Sequence, residues 1–296
     1  MKNNWKTTVL ALVVMALWGS LFPMVKIGYA ALEINAGSVP DILMFASFRF
    51  LICGTLVSAF SYFRKEKIGQ PTCKSILNIM LMGMFSIVLH YAFTYIGLST
   101  IDSSKTALIK QLGVLVYVCF SFMFLKDETY SVMKILGAIV GFSGILAINY
   151  NSAGIVFSKG DILIIGASVC TVVANIISKK SVEGSSPFWI TGISQLFGGL
   201  ILFITASALG AETLQFNSKA VLVFIYICGA SVVSYTLWYY ILKNNSLSKM
   251  FIIKFAEPLF ACVFGAILLG ENIFRIQYLL AFILISTGIM VGHKCE

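Results

Sequence analysis

Long apolar segments alternate with short polar segments along the whole chain of 296 residues. The apolar segments are each about 20 residues long, which is the length that a helix needs to cross the hydrocarbon core of a membrane. The predicted spans are residues 7–27, 42–63, 76–98, 105–125, 131–149, 160–178, 188–209, 219–242, 249–269 and 273–292. Glycine, proline and charged residues collect in the breaks between them, as is typical of turns. The pattern predicts an all-α integral membrane protein with ten transmembrane helices.

The composition excludes a soluble protein. Hydrophobic residues make up 59% of the chain and charged residues 11%, whereas soluble domains carry about 25% charged residues. The formal net charge is +9, but the basic residues lie between the apolar spans and form no single basic patch. Anionic lipid headgroups are therefore the expected partners of these residues, and nucleic acid is not.

Motifs that carry catalytic or metal chemistry are sparse. The seven cysteines lie mostly inside apolar segments without paired spacing, so we interpret them as small buried side chains and not as disulfides. Two histidines without a cysteine cluster do not indicate a metal site. We find no phosphate-binding loop, nucleophile elbow or zinc-peptidase motif. The sequence therefore predicts neither an enzyme nor a protein with a cofactor.

The first apolar segment imitates a signal peptide, because Lys2 and Lys6 precede it and Gly28-Tyr29-Ala30 follows it. It is longer than the apolar core of about 7–15 residues that such peptides have, so we expect a retained first span. With the N-terminus inside, most of the 21 basic residues fall in cytoplasmic segments. This distribution predicts a multi-pass protein of the plasma membrane with both termini in the cytoplasm.

The two halves of the chain resemble each other at an offset of 144 residues. The matched pairs are Tyr91 with Tyr235, Tyr95 with Tyr239, Ser104 with Ser248, Lys105 with Lys249, Ile109 with Ile253, Lys110 with Lys254, Asp127 with Glu271 and Gly144 with Gly288. Each half holds five helices, an odd number, so the second half enters the membrane upside down relative to the first. The sequence thus predicts two inverted five-helix repeats, residues 1–150 and 151–296, around a central cavity.

Lys110 and Lys254 lie inside apolar helices at matching places in the two halves. A charge in hydrocarbon is costly, so such residues usually face a bundle interior or a wet cavity. The alternative is that each long side chain reaches back to the membrane interface. The symmetric placement favours an inward-facing pair that binds an anionic group of a substrate.

Glu257 follows Lys254 by three residues and precedes Pro258. One interpretation is a structural ion pair within the helix. The other is a proton or cation site, or a group that tunes the charge of Lys254. Pro258 removes a backbone hydrogen bond and could kink the helix beside the site. Lys110 has Gly113-Val114 at the matching place and lacks this carboxylate.

Further polar and aromatic residues lie within the spans. Arg49 could present its forked donors to a carboxylate or phosphate, or it could hold neighbouring backbone carbonyls or pair with Glu257. The aromatic residues of helices 3 and 8 could line a cavity, or they could be ordinary packing and interface residues. The candidate substrate-binding residues are Lys110, Lys254, Arg49, Tyr91, Tyr235, Trp238, His90, Gln111 and Tyr117.

Several short motifs occur in a family-specific order. They are Leu17-Trp18-Gly19-Ser20 with Lys26, Pro40 with Phe48-Arg49-Phe50, Glu257-Pro258-Leu259-Phe260, Leu269-Gly270-Glu271, and Gly288. In these features the whole chain resembles the EamA type of the drug/metabolite transporter superfamily. The resemblance implies a secondary transporter, often an exporter, with a cavity between two repeats and an alternating-access mechanism.

The chain also departs from that family pattern. Family members commonly have a proline where this chain reads Gly113-Val114, and Leu-Gly-Glu is replaced by Leu125-Lys126-Asp127 in the first half. Lysine is not expected at positions 110 and 254 of a typical member. The lysine pair is therefore where we expect substrate choice to be determined.

The sequence as a whole predicts a secondary active transporter of a small polar, anionic metabolite. The first alternative is an exporter of amphipathic drugs or cationic metabolites that bind the aromatic residues. The second is a membrane protein that does not transport. The expected partners are a small-molecule substrate, membrane lipids, and a proton or a counter-substrate for coupling, with the chain acting as a monomer or homodimer.

Overall fold

The computed structural model describes residues 5–65, 72–120, 123, 131–151, 154–181, 186–244, 254 and 256–293. Ten helical segments form the fold within these residues, and each lies where the apolar pattern predicts it. They are α1 (Trp5–Ala31), α2 (Val39–Phe63), α3 (Cys73–Gly83, Met84–Leu89 and His90–Leu98), α4 (Ser103–Phe120), α5 (Val132–Ile148), α6 (Lys159–Ser181), α7 (Pro187–Ala208), α8 (Ser218–Asn244), α9 (Ala256–Leu269) and α10 (Ile276–His293). The predicted all-α membrane fold is confirmed.

Two details differ from a plain bundle of α-helices. The strands β1 (Tyr150–Asn151) and β2 (Gly154–Ile155) pair antiparallel at the joint between the halves. In α3 the middle segment Met84–Leu89 is a π-helix, directly before His90. A π-turn is rare and often occurs at functional sites. The hydrophobic pattern contains no signal for either feature.

Five of the described helices are long and apolar enough to cross a membrane: Lys6–Ala31, Val39–Phe63, Ser75–Leu98, Phe188–Ala208 and Ser218–Tyr235. Three shorter apolar helices accompany them. Large apolar side chains cover the outer faces, as Ile225 and Ile267 show with exposures of 64% and 72%. Such faces suit lipid and not water.

The packing of the helices is symmetric under exchange of the halves. Helix α2 packs on α7, and α5 packs on α10. Helix α1 of the first half contacts α8 and α9. At the corresponding place, α6 of the second half contacts α3 and α4. Two similar halves around a shared axis produce this pattern. The inverted orientation of the halves stays a prediction.

Small residues allow α5 and α10 to approach closely. A Cβ atom added to Gly288 would lie 2.5 Å from the carbonyl oxygen of Gly137 and 2.5 Å from the backbone nitrogen of Gly141. At the matching position in the first half, a Cβ on Gly144 would lie 3.0 Å from the carbonyl oxygen of Ala281. Glycine is thus required where the backbones of the two helices meet.

Polar contacts connect the loops at one end of the bundle, which we call the linked end (residues 32–38, 99–102, 149–151, 154–158, 209–217 and 270–275). The Ser99 hydroxyl donates to the carbonyl oxygen of Ala36 over 3.1 Å, and the Asn217 amide donates to that of Ala31 over 2.7 Å. These bonds tie successive loops to one another.

Two further contacts hold the helix ends beside these loops. The Lys105 ammonium lies 2.8 Å from Oδ1 of Asp161, which is fully buried at the start of α6. The Tyr278 hydroxyl donates to Asp102 over 2.9 Å. Both contacts fix the N-terminal end of α4 against another helix.

Glu271 caps the N-terminus of α4 at the linked end. Its carboxylate accepts from the backbone nitrogens of Ser103 and Ser104 over 2.7 and 3.0 Å, and from the Ser104 hydroxyl over 2.6 Å. The Lys26 ammonium lies 3.6 Å from Oε1. Burial raises the pKa of Glu271, but these donors and the Lys26 charge outweigh it and hold the pKa below its ordinary value. Its predicted counterpart, Asp127, lies outside the described residues.

Substitution of Gly288 by alanine is expected to lower stability by about 1–3 kcal/mol, because the added methyl group overlaps the backbone of α5. The measurement is thermal unfolding in detergent. Gly229→Ala on α8 is the matched control, since a Cβ there meets nothing within 4 Å. Equal midpoints for both variants would show that α5 and α10 are not in close contact.

Glu271→Gln is expected to cost about 1–3 kcal/mol at neutral pH through the loss of charge-assisted hydrogen bonds. Because the folded pKa is depressed, the stabilisation is complete above the ordinary glutamate pKa of about 4.3 and is lost as pH falls through the lower folded value. The difference between wild type and variant in thermal unfolding should therefore shrink in acid. Glu212→Gln, an exposed change on a neighbouring loop, is the control, and a pH-independent difference would contradict the capping role.

Candidate substrate cavity

A cavity of about 450 Å³ lies in the interior of the helix bundle. Every helix except α5 and α10 contributes to its lining, so both halves of the chain form it. Cavities that bind small molecules usually measure about 300–1,000 Å³. The cavity therefore has the size of a small-molecule site.

The cavity brings together nearly all residues that the sequence singles out. These are Arg49, His90, Tyr91, Lys110, Gln111, Tyr117, Tyr235, Trp238, Lys254 and Glu257. Pro258 is buried next to Glu257 but does not line the cavity. It stands in the first turn of the described part of α9, and residues 245–253, in which a kink would show, lie outside the described residues.

Both interior lysines rest against aromatic rings of α1. The Lys110 ammonium lies 5.1 Å from the centre of the Phe22 ring, and the Lys254 ammonium lies 5.9 Å from the centre of the Trp18 ring. Among the described residues neither lysine has a carboxylate within 4 Å. Both lysines line the cavity, and their contacts within the described residues are these ring faces and, for Lys110, also His90.

Glu257 is 8% exposed and lies at the start of α9. Its carboxylate forms no ion pair with Lys254 in the described structure, so the self-neutralised pair that the spacing allowed is not formed. The backbone of Glu257 packs on Gly19, where an added Cβ would lie 2.9 Å from the Glu257 carbonyl oxygen. The glycine of the Leu17-Trp18-Gly19 motif is thus needed for α1 to reach α9.

Arg49 connects three helices at the wall of the cavity and is 2% exposed. One terminal nitrogen donates to the hydroxyl of Tyr95, and the other donates to the hydroxyl of Ser231 over 2.8 Å. The guanidinium also faces the ring of Tyr91 at 5.3 Å. Its Nε atom has no partner among the described residues. Within the part of the chain that the structure describes, Arg49 thus donates to side-chain hydroxyl groups and not to backbone carbonyls or Glu257, which were the alternatives to substrate binding.

The hydroxyl groups of Tyr91 and Tyr235 lie 3.0 Å apart and share a hydrogen bond. These two residues are a matched pair of the 144-residue offset, and residues that contact their own counterparts lie at the axis between two similar halves. Next to them, the Trp18 ring lies 5.2 Å from that of Trp238 and 5.9 Å from that of Tyr235. These three rings form an aromatic wall of the cavity.

Sequence reasoning missed several lining residues. Trp18 and Phe22 carry the cation–π contacts, and the motif around Trp18 was the available signal. Thr94 and Gln195 are buried polar residues of the lining whose oxygen atoms Oγ1 and Oε1 have no partner among the described residues, and the same holds for Oε1 of Gln111. Polar residues at helical spacing in an apolar span could have indicated them.

The fold and the interior cavity of both halves are those of a multi-span membrane transporter. Residues 5–150 and 158–292 match the EamA-like transporter family, and the chain belongs to this family. Leu17-Trp18-Gly19 and Leu269-Gly270-Glu271, which carried the resemblance, stand in this fold at the α1–α9 contact and at the linked end.

Known relatives cover nearly the whole chain. The chain is 25% identical to the uncharacterized transporter YvbV of Bacillus subtilis (strain 168), over 98% of this chain and 93% of that protein. It is 23% identical to the uncharacterized inner membrane transporter YedA of Escherichia coli (strain K12), over 93% and 87%. A solved crystal structure matches with a TM-score of 0.63 at 18% identity, over 97% and 96%. That likeness supports the fold alone.

Arg49→Lys is expected to lower stability by about 1–3 kcal/mol without any added anion, because lysine cannot donate to Tyr95 and Ser231 at once. Thermal unfolding in detergent measures this effect. Arg64→Lys, at the exposed end of α2, is the matched control and should leave the midpoint unchanged. An unchanged midpoint for Arg49→Lys would show that the two hydroxyl contacts do not stabilise the fold.

Proposed function

We propose that the protein is a secondary active transporter that moves a small polar anion across the plasma membrane by alternating access, with both termini in the cytoplasm. The cavity is the substrate site in this proposal. The family membership supports transport, and the charges of the cavity support the anion.

The observation that carries the proposal is the charge of the cavity lining. Among the described residues, three cationic side chains (Arg49, Lys110 and Lys254) and one carboxylate (Glu257) line it. Within the described residues none of the three has a carboxylate within 4 Å, and Arg49 alone is held by two hydroxyl groups. Charges in an apolar interior are stable only when they are paired or hydrated. An anion bound between Lys110 and Lys254 would supply the missing partner.

Other lining residues suit the rest of such a substrate. The aromatic wall offers ring faces to an apolar part, and the unpartnered oxygens of Gln111 and Gln195 can accept hydrogen bonds from hydroxyl or amide groups. Glu257 reduces the positive charge near Lys254 and can set how strongly that lysine holds the anion.

The linked end supports the alternating-access part of the proposal. Polar contacts join its loops on one side of the cavity, and Glu271 fixes α4 to the loop before α10 there. Under the predicted inversion, Asp127 would occupy the equivalent place at the opposite end. A transport cycle would then make and break these two sets of contacts in turn.

The aromatic wall also favours a second candidate function, the export of amphipathic or cationic compounds. Trp18, Tyr235 and Trp238 could stack on an organic cation, and Glu257 could neutralise it. However, Lys254 already lies over the Trp18 ring. A cationic substrate would have to displace a like charge from that surface, so we favour the anion.

Lys110→Gln and Lys254→Gln are each expected to weaken anion binding by at least about tenfold, which corresponds to 1.4 kcal/mol, because each removes one positive charge from the cavity. Purified protein in nanodiscs is titrated with benzoate, lactate and sulfate while tryptophan fluorescence is recorded. The same anions are then tested as competitors of one another during uptake into proteoliposomes.

Lys219→Gln, a change of an exposed lysine at the start of α8, is the matched control and should leave binding unchanged. Thermal unfolding of all variants tests whether folding is intact. Unchanged anion binding in the double lysine variant would contradict the assignment. Competition by tetraphenylphosphonium but by none of the three anions would support the second candidate function.

A further inference from the structure

The hydrogen bonds of His90 determine which of its ring nitrogens carries a proton. His90 is 7% exposed, and its Nδ1 lies 2.9 Å from the carbonyl oxygen of Ala167 on α6. A carbonyl oxygen only accepts hydrogen bonds, so Nδ1 must be the donor. The hydroxyl of Thr171 lies 2.9 Å from the same nitrogen and donates its own proton to Ala167 over 3.1 Å. In the neutral ring, Nε2 therefore carries a lone pair.

That lone pair faces Lys110. The Lys110 ammonium lies 3.4 Å from Nε2, within reach of a hydrogen bond. An ammonium group only donates, so it bonds to Nε2 only while the imidazole is neutral. This hydrogen bond thus requires a neutral histidine next to a charged lysine, and both residues line the cavity.

A proton on Nε2 would reverse this arrangement. The proton takes up the lone pair, so the hydrogen bond from Lys110 breaks, and two cations then face each other across a few ångströms. Like charges at this distance repel strongly in an apolar interior. An anion placed between them pairs with both, and the charge of an added monoanion cancels that of the added proton. Proton and anion therefore stabilise each other in the cavity.

We propose that His90 is the proton-binding residue that couples transport to protons, so that one proton accompanies each anion in the same direction. The proposal rests on the proposed function, because it requires an anion at Lys110. Positive linkage between two ligands of one site is reciprocal, so the proton must raise anion affinity as much as the anion raises proton affinity.

Other charged or titratable groups face the same region. Helix α2 contributes Arg49, which Tyr95 and Ser231 hold. The segment before α9 contributes Lys254, and α9 itself contributes Glu257. Helices α3, α4 and α8 contribute Tyr91, Tyr95, Tyr117 and Tyr235, while α6 presents the Ala167 carbonyl and Thr171. Glu257 is the rival proton site, and the experiments below separate it from His90.

The first experiment observes His90 directly. The chain has two histidines, so His293→Gln leaves His90 as the single one for nitrogen-15 NMR in nanodiscs. Without added anion, we expect the neutral tautomer protonated at Nδ1. Saturating benzoate near neutral pH should convert it to the imidazolium form. A ring protonated at Nε2 without anion, or one that stays neutral with benzoate bound, would overturn the proposal.

The second experiment measures the dissociation constants of benzoate, lactate and sulfate between about pH 6 and 8, where all three anions stay ionised. For wild type and for His293→Gln, affinity should rise about tenfold for each unit fall in pH, as uptake of one proton requires. His90→Asn can still donate to Ala167 but cannot bind a proton, so its affinity should not depend on pH. Glu257→Gln should retain the slope.

The outcomes separate the coupling from the transport function. Binding that depends on Lys110 but not on pH overturns the role of His90 and leaves the anion site intact. If Glu257→Gln abolishes the pH dependence of anion affinity and His90→Asn retains it, the carboxylate binds the proton. That result also overturns the role of His90. If none of the three anions binds, the proposed anion function fails, and the coupling fails with it.

Discussion

The cost of placing positive charge inside an apolar bundle constrains the whole structure. Arg49, Lys110 and Lys254 lie among helices whose outer faces are covered by large apolar side chains. The apolar outer faces offer these charges no partner, so the residues and the contents of the cavity must supply one. Arg49 meets this requirement with two hydroxyl groups and a set of ring faces. The two lysines meet it only in part within the described residues, and this incomplete pairing is the basis for proposing the cavity as a binding site.

The fold and much of the site could be predicted from the sequence, because the membrane limits the choices. Apolar length alone determines the helices, and a buried lysine is costly enough that its repetition at positions 110 and 254 indicates a shared interior. The crossing of the helices could not be predicted, since periodicity shows which residues share a face but not which helix that face meets. For this reason only the structure shows that Lys254 contacts Trp18 instead of Glu257. The same holds for the π-turn before His90.

The close packing of α5 on α10 lies apart from the cavity. Glycines such as Gly144 and Gly288 bring α5 and α10 together away from the cavity, whose lining includes neither helix. Hydrogen bonds and ion pairs concentrate at the linked end and around the cavity. A pair of tightly packed helices is stiff, whereas polar contacts near water can be exchanged for others at little net cost. The packed pair of α5 and α10 is therefore suited to be a rigid support for the helices that line the cavity.

The hydrogen bond between Tyr91 and Tyr235 has a consequence that follows from its position. It joins two matched residues of the halves. If the two halves exchanged conformations, the same two hydroxyl groups would therefore still be bonded to each other. The contact of Lys26 with Glu271 joins positions that the 144-residue offset does not match, so such an exchange would not convert it into itself. In the proposed alternating-access cycle, a rocking motion would break contacts of the second kind and could proceed with the tyrosine pair intact. In that cycle the tyrosine pair would serve as a pivot, because its hydrogen bond would be the same in both conformations.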